Sequence, residues 1–229
     1  MRASDSITET CAAASLDLGR IAADGSAWLF GSRASGCAAA ASDWDLLVLT
    51  PHAKGFRREC IDSLDVVTVG WSSAHTDHWL ASELAAHVAR YGQLLIGGDD
   101  WTYAIDTNEA SRRKTARTCG RITAVGRAWP NLNERYRRER AITLRRDIQR
   151  ALALAGLGTV PPTFFLDQEW AAASRRERAR LVDRLDGAMP PELRRALITN
   201  SVPGHGEIDG ASQTMHSSVI VSRRPQLDV

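Results

Sequence analysis

At 229 residues with 44% apolar side chains, the chain can bury a substantial core as one large domain or two small ones, which excludes a disordered or low-complexity protein. No apolar run approaches the length that spans a bilayer, and the first twenty residues carry acidic side chains with no continuous apolar stretch, so a cytoplasmic protein is expected. The formal net charge is only +2, so any attraction for a polyanion has to come from local charge.

A first helix is predicted over about 6–23, with Leu16, Leu18 and Ile21 among its core contacts. The run Ala27-Trp28-Leu29-Phe30 then reads as a buried strand, and Gly31 permits a tight turn whose backbone N–H groups can approach a phosphate. Ser32 adds a hydroxyl donor and Arg33 a cation, which makes Gly31, Ser32 and Arg33 candidate nucleotide-binding residues. A second strand follows near 44–50, preceded by Asp43 and containing Asp45. Residues two apart in an extended backbone leave the same face, and two carboxylates on one face repel unless a cation lies between them. Mg²⁺ suits that arrangement, because it takes oxygen ligands from one or two carboxylates and completes its shell with water and phosphate. A third strand near 64–70 carries Asp65 near its start, and its β-branched run suits pairing beside the Asp43/Asp45 strand. Asp62, just ahead of that run, is the rival for the third carboxylate position, in a loop or on the opposite face. Asp43, Asp45 and Asp65 together read as a catalytic, metal-ligating set able to clamp two ions.

The string GSRASGCAAAASDWDLLVLT, residues 31–50, resembles the signature of the nucleotidyltransferase superfamily that includes DNA polymerase beta, in particular its small bacterial members, the minimal nucleotidyltransferases. Gly-Ser, Asp-x-Asp and a later single Asp stand in the family's order, and the likeness extends over about residues 25–100. It departs in the loop before the Asp pair, where Cys37-Ala38-Ala39-Ala40-Ala41 replaces the polar residues usual in the family. The resemblance implies transfer of a nucleoside monophosphate, most often AMP from ATP, to an acceptor hydroxyl with Mg²⁺ as cofactor. It also implies a carboxylate in the helical half that activates a small-molecule acceptor, for which Glu109, Glu134, Glu139 and Glu169 are all available.

Farther along, Asp77 to Tyr91 has the apolar spacing of one amphipathic helix, and a short strand is expected near 93–96. His75 and His78 read as solvated residues at the start of that helix. Gly97-Gly98-Asp99-Asp100 breaks the chain, and the period changes to helix, which places a domain boundary near 104. Helices are predicted near 107–128, 132–156, 165–186 and 190–199, giving an α/β (α+β) fold: a small mixed-sheet domain over 1–104 and a helical bundle over 105–200. The polar segment 201–229 reads as a mobile or weakly docked tail. Cys11, Cys37, Cys60 and Cys119 are too widely spaced to suggest a zinc site or a disulfide framework.

Between Arg112 and Arg150 thirteen basic residues face only Glu134, Glu139 and Asp147, a local balance of +10. Such a block suits either RNA or nucleotide phosphates, or else forms solvated helix faces. The acceptor is accordingly open among a small molecule, a protein and RNA. One alternative to a free-standing transferase is a toxin–antitoxin nucleotidyltransferase acting on tRNA or a partner protein; another is a non-catalytic nucleotide-binding module. The helical nuclease that partners such toxins is not fused here, since no histidine lies between His87 and His205.

Overall fold

The structure is a computed structural model that describes residues 3–39, 41–98, 100–185 and 189–199. The expected tail over 201–229 and Asp99 of the Gly97–Asp100 break lie outside the described residues.

Five strands, β1 (Ser26–Phe30), β2 (Trp44–Thr50), β3 (Phe56–Ile61), β4 (Leu64–Gly70) and β5 (Gln93–Ile96), form one sheet in the order β3-β4-β2-β1-β5. Strands β2 and β4 run parallel and the other neighbours antiparallel, so the sheet is mixed. Strand β3 carries none of the apolar run that marks the others. It is an edge strand paired on one side only, Phe56 is 59% exposed, Arg57, Arg58 and Cys60 are exposed and no residue of it is fully buried, so no buried face imprints a pattern on it.

The two-residue repeat sorts the central strands onto two faces. Ala27, Leu29, Leu46, Val48, Leu64 and Val66 pack under Ile7 and Cys11 of the first helix, while Trp28, Phe30, Leu47, Leu49, Val67 and Val69 pack under Trp79, Ala85, Val88 and Trp101. The sheet is covered on both sides, which is why its central strands read as continuous apolar runs.

Three predicted helices divide. The one expected over 6–23 is α1 (Ala3–Ala13) and α2 (Leu18–Asp24), because Ser15 takes a φ of 57° and Asp17 caps α2 by accepting the Arg20 N–H at 3.1 Å. After a single-turn α3 (Gly31–Ala34) and α4 (Trp71–Ala74), the helix expected over 77–91 becomes α5 (Asp77–Leu80) and α6 (Glu83–Tyr91). Ser82 starts α6 by accepting the Ala85 N–H at 3.0 Å. The helix expected over 165–186 becomes α9 (Thr163–Ala172) and α10 (Arg175–Asp183), separated by a capping box in which Ser174 and Glu177 satisfy each other's backbone N–H groups. Each new helix opens on a polar cap residue, Asp17, Ser82 or Ser174.

The remaining helices, α7 (Thr107–Ala128), α8 (Glu134–Leu157) and α11 (Pro191–Thr199), complete the bundle around Ile122, Leu144, Ile148, Trp170, Leu193 and Leu197. Burying each of those aliphatic side chains removes about 2 kcal/mol of unfavourable hydration. Between Ala141 and Leu154 helix α8 is buried on most of its circumference, including at Arg145 and Asp147, so the charged residues of that stretch need partners inside the protein. Asp147 accepts from Lys114 Nζ at 2.9 Å and from Arg121 Nη1, and Asp167 of α9 accepts from Arg145 and Arg146. Lys114, Arg121, Arg145 and Arg146 of the basic block are therefore partners of the bundle's own buried carboxylates. Arg112, Arg117, Arg121, Arg127, Arg135, Arg138 and Arg140 of the block are exposed. Among the described residues no helix is long and apolar enough to cross a membrane.

Candidate active site

Strand parity and register assemble the site. Asp45 and Asp65 share parity with Leu47, Leu49, Val67 and Val69, so they leave the sheet on the face that α6 covers, at the strand starts. The parallel register sets Asp45 directly opposite Asp65, and the antiparallel register sets it opposite Phe30, one residue before the Gly31 turn. Gly31 adopts a φ of +72°, and a Cβ built there would stand 2.0 Å from Asp45 Oδ2. The glycine is thus required twice, by its backbone conformation and by the carboxylate packed against it. Asp43 lies exposed just ahead of β2, and Asp62 lies exposed in the β3–β4 turn with a φ of 52°.

Burial pushes the Asp45 carboxyl up to about 6; the negative charges of Asp65 and Asp43 add to this and the Arg58 cation opposes it. Asp65 is only 7% exposed, and its charge is met by Arg58 of the edge strand. Arg58 Nε donates to Asp65 Oδ1 at 2.9 Å and to Oδ2 at 3.1 Å, and its Nη2 also donates to Oδ2. The Asp65 bond and the charges around it raise the affinity of Arg58 for its proton against the loss of hydration.

Next to these groups a cleft of about 490 Å³ opens between the sheet and the bundle. One wall is Phe30, Gly31, Ser32, Cys37, Asp45 and Arg58; the other is Glu83, Leu84 and His87 of α6, Arg150 of α8, and the segment Val160–Phe164. That volume is of the size that encloses a small ligand. Three of the groups on the second wall form a connected set that sequence reasoning missed. Glu83 Oε2 lies 2.7 Å from Lys114 Nζ and its Oε1 3.7 Å from Arg150 Nε, while Arg150 Nη2 donates to Thr163 Oγ1 at 2.8 Å. His87 Nδ1 donates to the Val160 carbonyl at 2.7 Å, and burial is the main reason its imidazole sits below the usual histidine range. Thr159 Oγ1 donates to the Ala86 carbonyl at 3.0 Å beside it. No local motif marks these contacts, because each joins residues far apart in the chain.

The residues named from the sequence fall into different places. Gly31, Ser32 and Asp45 line the cleft together. Asp65 stands opposite Asp45, held by Arg58. Arg33 is directed into the loop before the Asp pair: its Nε and Nη2 donate to the Ser42 carbonyl at 2.9 and 2.6 Å, and its guanidinium lies 4.2 Å over the Trp44 ring. Among the described residues no three His, Cys, Asp or Glu side chains are gathered closely enough to hold an ion. The three aspartates therefore do not form a closed ligand cluster, and the cation beside Asp65 is a guanidinium. A hard divalent cation still fits the donor set of Asp45 and Asp65, whose mutual repulsion shows in Asp45 and whose positive partner already sits in the cleft wall.

None of the four glutamates expected to supply a base lines the cleft; Glu83 does, from the sheet half. Glu109 accepts from Arg112 and Arg113, Glu139 from Arg135, Glu134 lies 3.6 Å from Arg138, and Glu169 is exposed. His75 and His78 are both exposed, His75 Nδ1 bonding the Trp71 carbonyl at 2.9 Å. All four cysteines are free.

No protein-family model matches the chain, and no curated protein matches it. Among solved structures it is similar to a nucleotidyltransferase-like protein from Exiguobacterium sibiricum, at 12% identity over 78% of this chain and 67% of that one, with a TM-score of 0.37. At that likeness neither substrate nor chemistry passes from one chain to the other.

Proposed function

We propose that the protein is a Mg²⁺-dependent nucleotidyltransferase that moves a nucleoside monophosphate, AMP in the first instance, from a nucleoside triphosphate to an acceptor hydroxyl. The observation that carries this reading is the placement of Asp45 opposite Asp65 on adjacent parallel strands, with Gly31 packed against the Asp45 carboxylate at the mouth of a ligand-sized cleft. Asp45 with Asp43 would hold one ion and, with Asp65, a second. When bound, Mg²⁺ supplies charge neutralisation on the phosphate oxygens and a lowered pKa for the acceptor hydroxyl.

The chain's own residues do the rest. The Gly31 turn and the Ser32 hydroxyl hold phosphate oxygens, Arg58 and Arg150 set positive charge in the cleft walls, and Phe30, Leu84 and Phe164 give it an apolar lining that limits water. In the transfer, the acceptor oxygen bonds to the α-phosphorus, the bond from that phosphorus to the bridging oxygen breaks, and pyrophosphate leaves with the bond's electron pair. The acceptor proton passes to a carboxylate of the aspartate set. We assign this chemistry to a domain over residues 1–104, with a helical domain over residues 105–200 adding Arg150 and the segment Val160–Phe164 to the second cleft wall beside α6.

A small acceptor suits this cleft better than RNA. Its charged lining residues are Asp45 and Glu83 against Arg58 and Arg150, so the lining is balanced in charge and takes only Arg150 from the basic block. The test is incubation with each α-labelled nucleoside triphosphate and Mg²⁺, offering small hydroxyl-bearing acceptors such as aminoglycosides and lincosamides, bulk tRNA and the protein itself in parallel. Label is expected in the small-molecule arm with wild type and in no arm with Asp43→Asn/Asp45→Asn. Full transfer by the double variant would remove the metal assignment, and label confined to tRNA would replace the acceptor.

A further inference from the structure

We propose that Arg58 is a displaceable counter-cation that couples occupancy of the Asp45–Asp65 position to nucleotide binding; this rests on the transfer reading above. In the metal-free protein it holds Asp65. When nucleotide is bound it yields that carboxylate to a divalent cation and turns its own charge to the phosphates.

The geometry divides the pair unequally. The Asp65 side chain is 9% exposed and fixed in the sheet, whereas the Arg58 side chain is 63% exposed and reaches in from the outer strand. Both Asp65 oxygens are engaged by the guanidinium. A buried carboxylate without a cation is strongly unfavourable, so Asp65 keeps Arg58 until another positive charge arrives. The arm that must move is the solvated one, so detaching it disturbs no packed core. Once released, it remains in the cleft wall it shares with Gly31, Ser32 and Asp45. A planar guanidinium pairs with phosphate oxygens as readily as with a carboxylate, so bound nucleotide gives Arg58 an alternative partner and lowers the penalty for leaving Asp65. Without nucleotide a divalent cation competes with the forked ion pair; with nucleotide it does not.

The test is a Mn²⁺ titration followed by the electron paramagnetic resonance of the free ion, with and without an α,β-methylene nucleoside triphosphate. It compares wild type, Arg58→Ala, Arg58→Gln and Asp65→Asn, with circular dichroism establishing that each is folded. Wild type is expected to bind its second Mn²⁺ tightly only with the analogue present. Both Arg58 variants are expected to bind that ion about tenfold more tightly without analogue, with the dependence on analogue largely lost, and Asp65→Asn to lose the position. Arg58→Gln retains an amide able to donate to Asp65, so it keeps the comparison available if Arg58→Ala does not fold. Equal or weaker Mn²⁺ binding by the folded Arg58 variants would overturn the role of Arg58 while leaving the transfer reading standing. Absence of Mn²⁺ binding in wild type with analogue present would overturn both.

Discussion

Gly31 and Asp45 occupy adjoining space so closely that any side chain at the first position has to displace the second: a Cβ on Gly31 would meet Asp45 Oδ2 at 2.0 Å, and the backbone there has a φ of +72°. The turn that ends β1 and the carboxylate that opens β2 are therefore one structural unit.

Gly31→Ala tests that unit. The left-handed backbone alone costs about 1–2 kcal/mol for a residue with a Cβ, and displacing Asp45 adds to it. The expected result is a lower urea midpoint together with a loss of transfer activity of about a hundredfold or more, the second exceeding what a global loss of stability explains.

The Asp45 carboxyl carries a pH signature. Its folded value is raised from 3.8 to about 6, so the stability it contributes is fully present below about 4 and is lost as pH rises through about 6. In metal-free buffer, Asp45→Asn should melt at a higher temperature than wild type at pH 7–8, and the gap should close on acidification towards pH 4. A constant gap from pH 4 to 8 would contradict the assigned environment. Transfer activity is expected to vanish in this variant at every pH.

Asp147 is the internal anion for Lys114 and Arg121. Burial raises its carboxyl, but the hydrogen bonds from Lys114 and Arg121 outweigh that and hold it below the usual range. Asp147→Ala leaves Lys114 buried with only the more exposed Glu83, and a loss of about 3–5 kcal/mol is expected in urea unfolding. Adding Lys114→Met should restore part of that loss, and strict additivity of the two changes would show that the pair is not coupled.

His87 ties α6 to the α8–α9 connection through the Val160 carbonyl, and so holds together the two segments that form the second cleft wall. His87→Phe keeps a ring of similar size and removes the bond, with an expected stability loss of about 1 kcal/mol. Because the wall loses its tether, binding of a nucleotide analogue measured by calorimetry should weaken as well. His87→Asn, able to donate from near the Nδ1 position, should recover most of the affinity.

The sequence by itself determined the strands that carry Asp45 and Asp65, the turn between Phe30 and Ser32, and the helical character of the second half. These are local: a two-residue or 3.6-residue period and a glycine are written in consecutive residues, and parity alone places Asp45 and Asp65 with Leu47 and Val67 on one face. Only the tertiary structure decided that β4 inserts between β2 and β3, which brings Arg58 onto Asp65 from a strand whose solvated face hides its period. It also decided that Glu83, not Glu109, Glu134, Glu139 or Glu169, enters the cleft, that Arg33 serves the loop, and that Lys114, Arg145 and Arg146 of the basic block are taken up by Asp147 and Asp167. Those outcomes depend on which elements pack together, not on a period along consecutive residues. Charge complementarity chooses partners there only after hydrophobic packing has set the distances.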